Sequence, residues 1–220
     1  ALTDADDNVA IGLLALSADT LGSNSVAIGY KALGTQNFTT ATDVYNVAVG
    51  YNSGASVTTG TINTLIGALS GDALTSGNSN VGVGYQALTN DTLGDRNVAI
   101  GVSSLGTQNF TTSTDSYNVG VGYNAGLSVT TGFQNVLIGG LSGDAITDAD
   151  RNTAVGHASL GTNTLGSNNT AVGTYSLLNT NPATAVDMYN TAVGYGSGQN
   201  VTTGVENTLI GALAGDALTA

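Results

Sequence analysis

A five-residue pattern, Asn-(Val/Thr)-(Ala/Leu/Gly)-(Ile/Val)-Gly, occurs twelve times in this chain of 220 residues. The copies start at Asn8, Ser25, Asn46, Asn63, Asn80, Asn97, Asn118, Asn135, Asn152, Asn169, Asn190 and Asn207, and only Ser25 departs from the opening Asn. All close on Gly, with Gly50, Gly122 and Gly194 in equivalent copies. Starts are spaced 17, 21, 17 and 17 residues, and the series then repeats, giving a 72-residue super-repeat. Its three copies are 4–75, 76–147 and 148–219. A short unit at near-fixed spacing is the mark of a solenoid, in which each unit buries its apolar face only against its neighbours. The expected organisation is one continuous solenoid over 1–220, with each spacing forming one coil.

Positions are counted from the Asn, so that Val47 is offset +1 of the third copy. Offsets +1 and +3 are Val/Thr and Ile/Val, which favour strands. Alternation puts +1 and +3 on one face and +2 and +4 on the other. Both faces are then apolar or small, and a strand apolar on both faces needs cover on both. A lone coil stack covers one. This predicts an oligomer whose copies pack these sheets together. Offset +7 is Ala or Ser throughout, and +8 runs Leu, Leu, Gly, Gly in each block, as in Leu16, Leu33, Gly54 and Gly71. A further apolar residue follows (Leu21, Val57, Leu74, Val129, Ile146 and Val201 among them), which reads as a second strand across a thin core.

The 21-residue coil adds a loop, 34–45, that recurs at 106–117 and, with Asn181-Pro182 in place of Asn109-Phe110, in the third block. It should bulge from one side three times, with Phe38 and Phe110 tucked against their own coils. The register continues to both chain ends, where Ala217-Leu218-Thr219 repeats Ala1-Leu2-Thr3. That is expected of an excerpt of a longer array or of copies that stack end to end.

Charged residues are only 8% of the chain, so Thr, Ser, Asn and Asp must hydrate the surface. The net charge of −12 would repel a phosphate backbone and excludes nucleic acid as a natural partner. There is no Cys, so stability comes from stacking without disulfides. No apolar run approaches the length of a membrane span, and no membrane insertion by this segment is expected.

Asn24-Ser25-Val26-Ala27-Ile28-Gly29 and the coils that follow resemble the repeat of the YadA-like head of trimeric autotransporter adhesins. Similar repeats occur in phage tail-fibre-like proteins. The resemblance covers all twelve coils. It implies a left-handed parallel β-roll, trimeric, with the aliphatic positions about the shared axis and core.

Several sets of residues could carry function. The recurring Asn residues read as a structural ladder that satisfies turn backbone along the axis. Tyr at offset +5 (Tyr30, Tyr51, Tyr85, Tyr123 and Tyr195) could stack on sugars or shield strand edges. Asp144, Asp148 and Asp150, matched by Asp72, Ser76 and Asn78, have the short alternating spacing of a weak Ca²⁺ candidate, and the first block opens with Asp4, Asp6 and Asp7. They fit no EF-hand loop, and no other metal or cofactor is implied. Thr pairs such as Thr58-Thr59 and Thr130-Thr131 sit on two coils in four, too sparse for an ice-binding array. With one His, His157, and no Cys, no catalytic set is present, and the expected role is not enzymatic.

The expected fold is therefore an all-β parallel β-roll of twelve coils, assembled as a trimer. The expected function is a shaft or head segment of an extracellular fibre or adhesin, at a cell surface or on a virion. Its partners would be other copies of itself, in a homotrimer or an end-to-end polymer, and a cell-surface glycan or matrix protein. Two alternatives are a glycan-binding tail-fibre module and a self-assembling filament without ligand.

Overall fold

The computed structural model describes residues 5–220. Asp4 and Ala1-Leu2-Thr3 lie outside them, and with them the start of the first block and the first residue of its acidic turn. The chain is an all-β parallel solenoid of about twelve turns, without a helix among the described residues. It divides into two compact units, Ala1–Ser116 and Tyr117–Ala220.

In the first unit the strands Val9–Ile11, Val26–Ile28, Val47–Val49, Thr64–Ile66, Val81–Val83 and Val98–Ile100 pair in parallel, each with the next. In the second, Val119–Val121, Val136–Ile138, Thr153–Val155, Thr170–Val172, Thr191–Val193 and Thr208–Ile210 do the same. The register is that of the sequence pattern, as in Val26↔Val47, Ala27↔Ala48 and Ile28↔Val49.

The rest of each 17-residue coil is turns. The expected second strand exists only as two-residue pieces where the longer coil folds back: Gly22–Ser23 pairs with Thr42–Asp43, Gly94–Asp95 with Thr114–Asp115, and Gly166–Ser167 with Val186–Asp187. The corners on either side of that stretch are set by the backbone. Offsets −1, +6 and +8 hold a left-handed φ in every coil, at non-Gly residues such as Tyr45 (56°), Asn52 (52°) and Leu33 (48°). Such residues turn the chain and cannot continue a strand. They are held by bonds between coils: Asn52 N–H donates to Tyr30 O (2.9 Å) and Leu33 N–H to Ser53 O (3.1 Å).

The core is a thin apolar column inside the coils. In the first unit it contains Leu16, Ala27, Leu33, Ala48, Val57, Leu65 and Leu74. In the second, Leu137, Ile146, Leu160, Leu177, Met188 and Val201 are fully buried. Offset +2 points into this column. Phe38 and Phe110 are buried, which holds the longer loops of the first two blocks close to their coils.

Candidate functional site

From Asn8 to Asn190, each Asn of the ladder uses its side chain twice. Asn63 Oδ1 accepts from Asn80 N–H of the next coil (3.0 Å), and its Nδ2 donates to Gly77 O at the end of its own coil (2.9 Å). Asn135 repeats this with Asn152 N–H (3.0 Å) and Ala149 O (2.8 Å). Similar bonds run from Asn8, Asn46, Asn80, Asn118, Asn152 and Asn190. Asn97 receives Ser116 Oγ–H at 2.9 Å, Asn169 accepts from Asn190 N–H at 3.3 Å, and Asn207 Nδ2 donates to Asn190 Oδ1 at 3.0 Å. At Ser25, where the Asn is missing, Gln36 from the longer loop takes its place: its Nε2 donates to Ser25 Oγ (3.3 Å) and its Oε1 accepts from Asn46 Nδ2 (2.9 Å). The ladder closes the coils and joins each to the next, engaging the side chains from Asn8 to Asn190.

A second ladder was not anticipated from the sequence. Offset +12 is Thr in nine coils and Asn in the three long ones. Thr58 Oγ1 donates to Thr75 O (3.1 Å), Thr75 to Thr92 O (3.0 Å), and Thr92 to Asn109 Oδ1 (2.9 Å). The second unit has Thr130 to Thr147 O (3.1 Å), Thr147 to Thr164 O (3.1 Å) and Thr164 to Asn181 Oδ1 (2.6 Å). The row is inconspicuous in the linear sequence because only some of its Thr residues have a Thr beside them; it stands out once the twelve coils are set in register.

The acidic candidates do not converge. Among the described residues no three His, Cys, Asp or Glu side chains are placed to hold a metal ion. Asp148 accepts from Thr131 Oγ1, and Asp150 accepts from Phe133 N–H at 3.0 Å. Both line a polar surface pocket with Arg151, Ser167 and Asp187, while Asp144 is not part of it. Burial pushes the carboxyls of Asp144 and Asp150 above the usual range, which opposes the charged form a cation would need.

What remains is the outer face of the long sheets. Offsets +1 and +3 point outward, because +2 points in. Ile66 and Ile100 are each 39% exposed, high for aliphatic strand residues. This strip is flanked on both sides. On the offset −1 side stand exposed Tyr45, Ile62, Tyr117 and Tyr189; on the +5 side, exposed Tyr30, Tyr51, Tyr85, Tyr123 and Tyr195. Tyr30 and Tyr51 stack on each other at 5.3 Å and 13°, which covers one face of each ring. Tyr175, missed because it lies at +6, packs edge-on to His157 (5.6 Å) and Tyr195 (6.1 Å).

Charge is almost absent from this face. Offsets +1 and +3 carry none in any of the twelve coils. Of the 15 acidic residues, only Asp7 and Glu206 stand in the four outward rows −1, +1, +3 and +5. The two arginines of row −1 are met within their own unit, Arg96 by Asp115 and Arg151 by Asp187 (3.9 Å). Five intervals at ~4.8 Å by three residues at ~3.3 Å make a strip roughly 24 Å by 10 Å in each unit, before the tyrosines widen it. The apolar band is continuous along each unit.

Comparison of the chain with protein-family models, with characterised proteins and with solved structures finds no match.

Proposed function

We propose that this chain is a non-enzymatic structural segment of an extracellular fibre or adhesin, and that it works as an oligomer closed through the outward face of its sheets. The observation that carries this reading is the segregation of charge. A chain of net charge −12 repels its own copies. A face cleared of all but two of its 15 acidic residues lets like-charged copies meet there. A cationic partner would instead be drawn to a face on which the carboxylates remained. Burying Val and Ile at ~25 cal/mol per Å² supplies a driving force that grows with each coil added. Trimeric closure, the extracellular setting and the adhesin role are supported by the resemblance of the repeat to YadA-like heads. The ladders suit that role, since they spend the interior polar groups on rigidity along the stack.

The test places charge on the face. Ile66→Asp, Ile100→Asp and Ile138→Asp together should turn the assembly into monomers in sedimentation velocity, with the far-ultraviolet spectrum kept. Replacement of the same three by Thr, the residue already at offset +1 of the third block, should keep both fold and assembly. Unchanged oligomer mass in the Asp variant contradicts the proposal.

A further inference from the structure

The uniformity of the apolar strip raises a problem that the flanking rows solve. Offsets +1 and +3 are Val, Ile or Thr in all twelve coils. Two copies facing each other through this strip could slide by one coil, ~4.8 Å, and meet almost the same surface. The strip alone holds no register. Row −1 and row +5 do differ from coil to coil. One coil in each 72-residue block carries Tyr at both ends: Tyr45 with Tyr51, Tyr117 with Tyr123, and Tyr189 with Tyr195. Each of these coils directly follows a long coil, and none of the other nine has Tyr in both rows.

We infer that these double-tyrosine coils set the axial register between copies of the chain, an inference that rests on the self-association proposed above. The rings have area to give: Tyr51 is 55% exposed and Tyr123 60%. A Tyr ring is a large contact that packs best against another aromatic in an offset or edge-on arrangement. In the matched register, a coil with rings on both rims meets the same coil of its neighbour. A slip of one coil sets those rings against Ile62 and Ala68 on one side, or Asn24 and Tyr30 on the other, and loses half or more of the aromatic contacts. Only a slip of a whole 72-residue block restores them. The occupant is a second copy of this chain, because the pattern is self-complementary only with the same spacing of 17, 21, 17 and 17.

The chain has no Cys, so a single spin label can be placed at Thr59, on the exposed Thr corner away from the strip. Pulsed dipolar spectroscopy on the assembled protein should then show one narrow distance between copies. Changing the six tyrosines to Thr should leave the sedimenting mass unchanged and broaden that distance towards longer values, as copies slip along the axis by multiples of ~4.8 Å. A second variant works by addition. Ser79→Tyr gives the coil that already holds Tyr85 a ring on each rim, and should add a second population displaced by two coils, ~9.6 Å. A single narrow distance in both variants, with the mass intact, overturns the inference and leaves the self-association standing. A wild-type chain that sediments as a monomer overturns both, and the mass alone tells the two failures apart.

Discussion

Gly50 sits at φ 142°, a conformation that L side chains rarely adopt, and a Cβ there would lie 2.5 Å from the carbonyl oxygen of Gly67. The equivalent residues of neighbouring coils face each other in the same way, which is why the motif closes on Gly without exception. Gly50→Ala should destabilise the fold by about 3 kcal/mol or more, since it combines a forbidden φ with a backbone clash. Gly140→Ala is the control. Its Cβ would have nothing nearer than 3.8 Å, and its stability in urea should change by less than ~0.5 kcal/mol. Equal losses at the two positions would contradict this account. At this scale the sequence displays which residues recur and hides why. The Asn and Gly columns are legible because only one residue type satisfies them. The left-handed corners at Leu14, Leu33, Tyr45 and Arg96 are invisible, because bonds between coils force that backbone on residues with no preference for it.

Among the elements, the puzzle is why four coils and not one make the repeat. Volume inside the core explains part of it. Leu65 at offset +2 replaces the Ala of other coils, and its methyl groups fill the space left by Gly54 and Gly71: a Cβ on Gly71 would sit 2.7 Å from Leu65 Cδ2. Leu137 stands against Gly143 in the same way, also at 2.7 Å. The Leu, Leu, Gly, Gly run at +8 was legible in the sequence; its partner at +2 was not, because the two positions are joined only by the fold. The long coil supplies the other part. Buried Asp91 accepts from Gln108 Nε2 (2.6 Å) and Gly94 N–H (3.0 Å). Removal from water still pushes its carboxyl up from the usual range, against the effect of these bonds.

A folded-state pKa above the unfolded one stabilises below the unfolded pKa, and that contribution is lost as pH rises through the raised value. At neutral pH the Asp91 charge therefore costs stability. The third block has Asn163 and Thr180 at the equivalent positions, where Asn163 Oδ1 accepts from Gly166 N–H (2.9 Å) and its Nδ2 donates to Gly166 O (2.7 Å). Asp91→Asn with Gln108→Thr should raise the melting temperature at pH 7, by about 2–4 °C for each kcal/mol recovered. The gain should shrink as pH falls towards the ordinary carboxylate range. A pH-independent difference would exclude Asp91 as its source.

At the scale of the whole molecule, the lack of Cys already separated this chain from disulfide scaffolds, and the charge of −12 gave the expectation that nucleic acid is not a partner. The alternation of apolar residues in a three-residue strand was enough to raise the question of what covers the outer face. That so few of the acidic residues stand in the outward rows became readable only once the coil assigned each column a direction. The candidate surface was thus half legible: its aliphatic centre from strand alternation and its +5 tyrosines from their recurrence, whereas Tyr45, Tyr117 and Tyr189 at −1 joined it only through their exposure in the fold. The Ca²⁺ candidates do not gather for a related reason: Thr131 Oγ1 donates to Asp148 and Phe133 N–H to Asp150, while Asp144 lies outside the pocket these two line.

Sedimentation equilibrium of the wild-type chain across a hundredfold range of concentration tests the central claim most directly. The expected mass is an integer multiple of the 21.7 kDa chain, threefold if closure follows the resemblance, and stable to dilution. A mass of one chain at every concentration would contradict it, since the apolar face would then stand open in water.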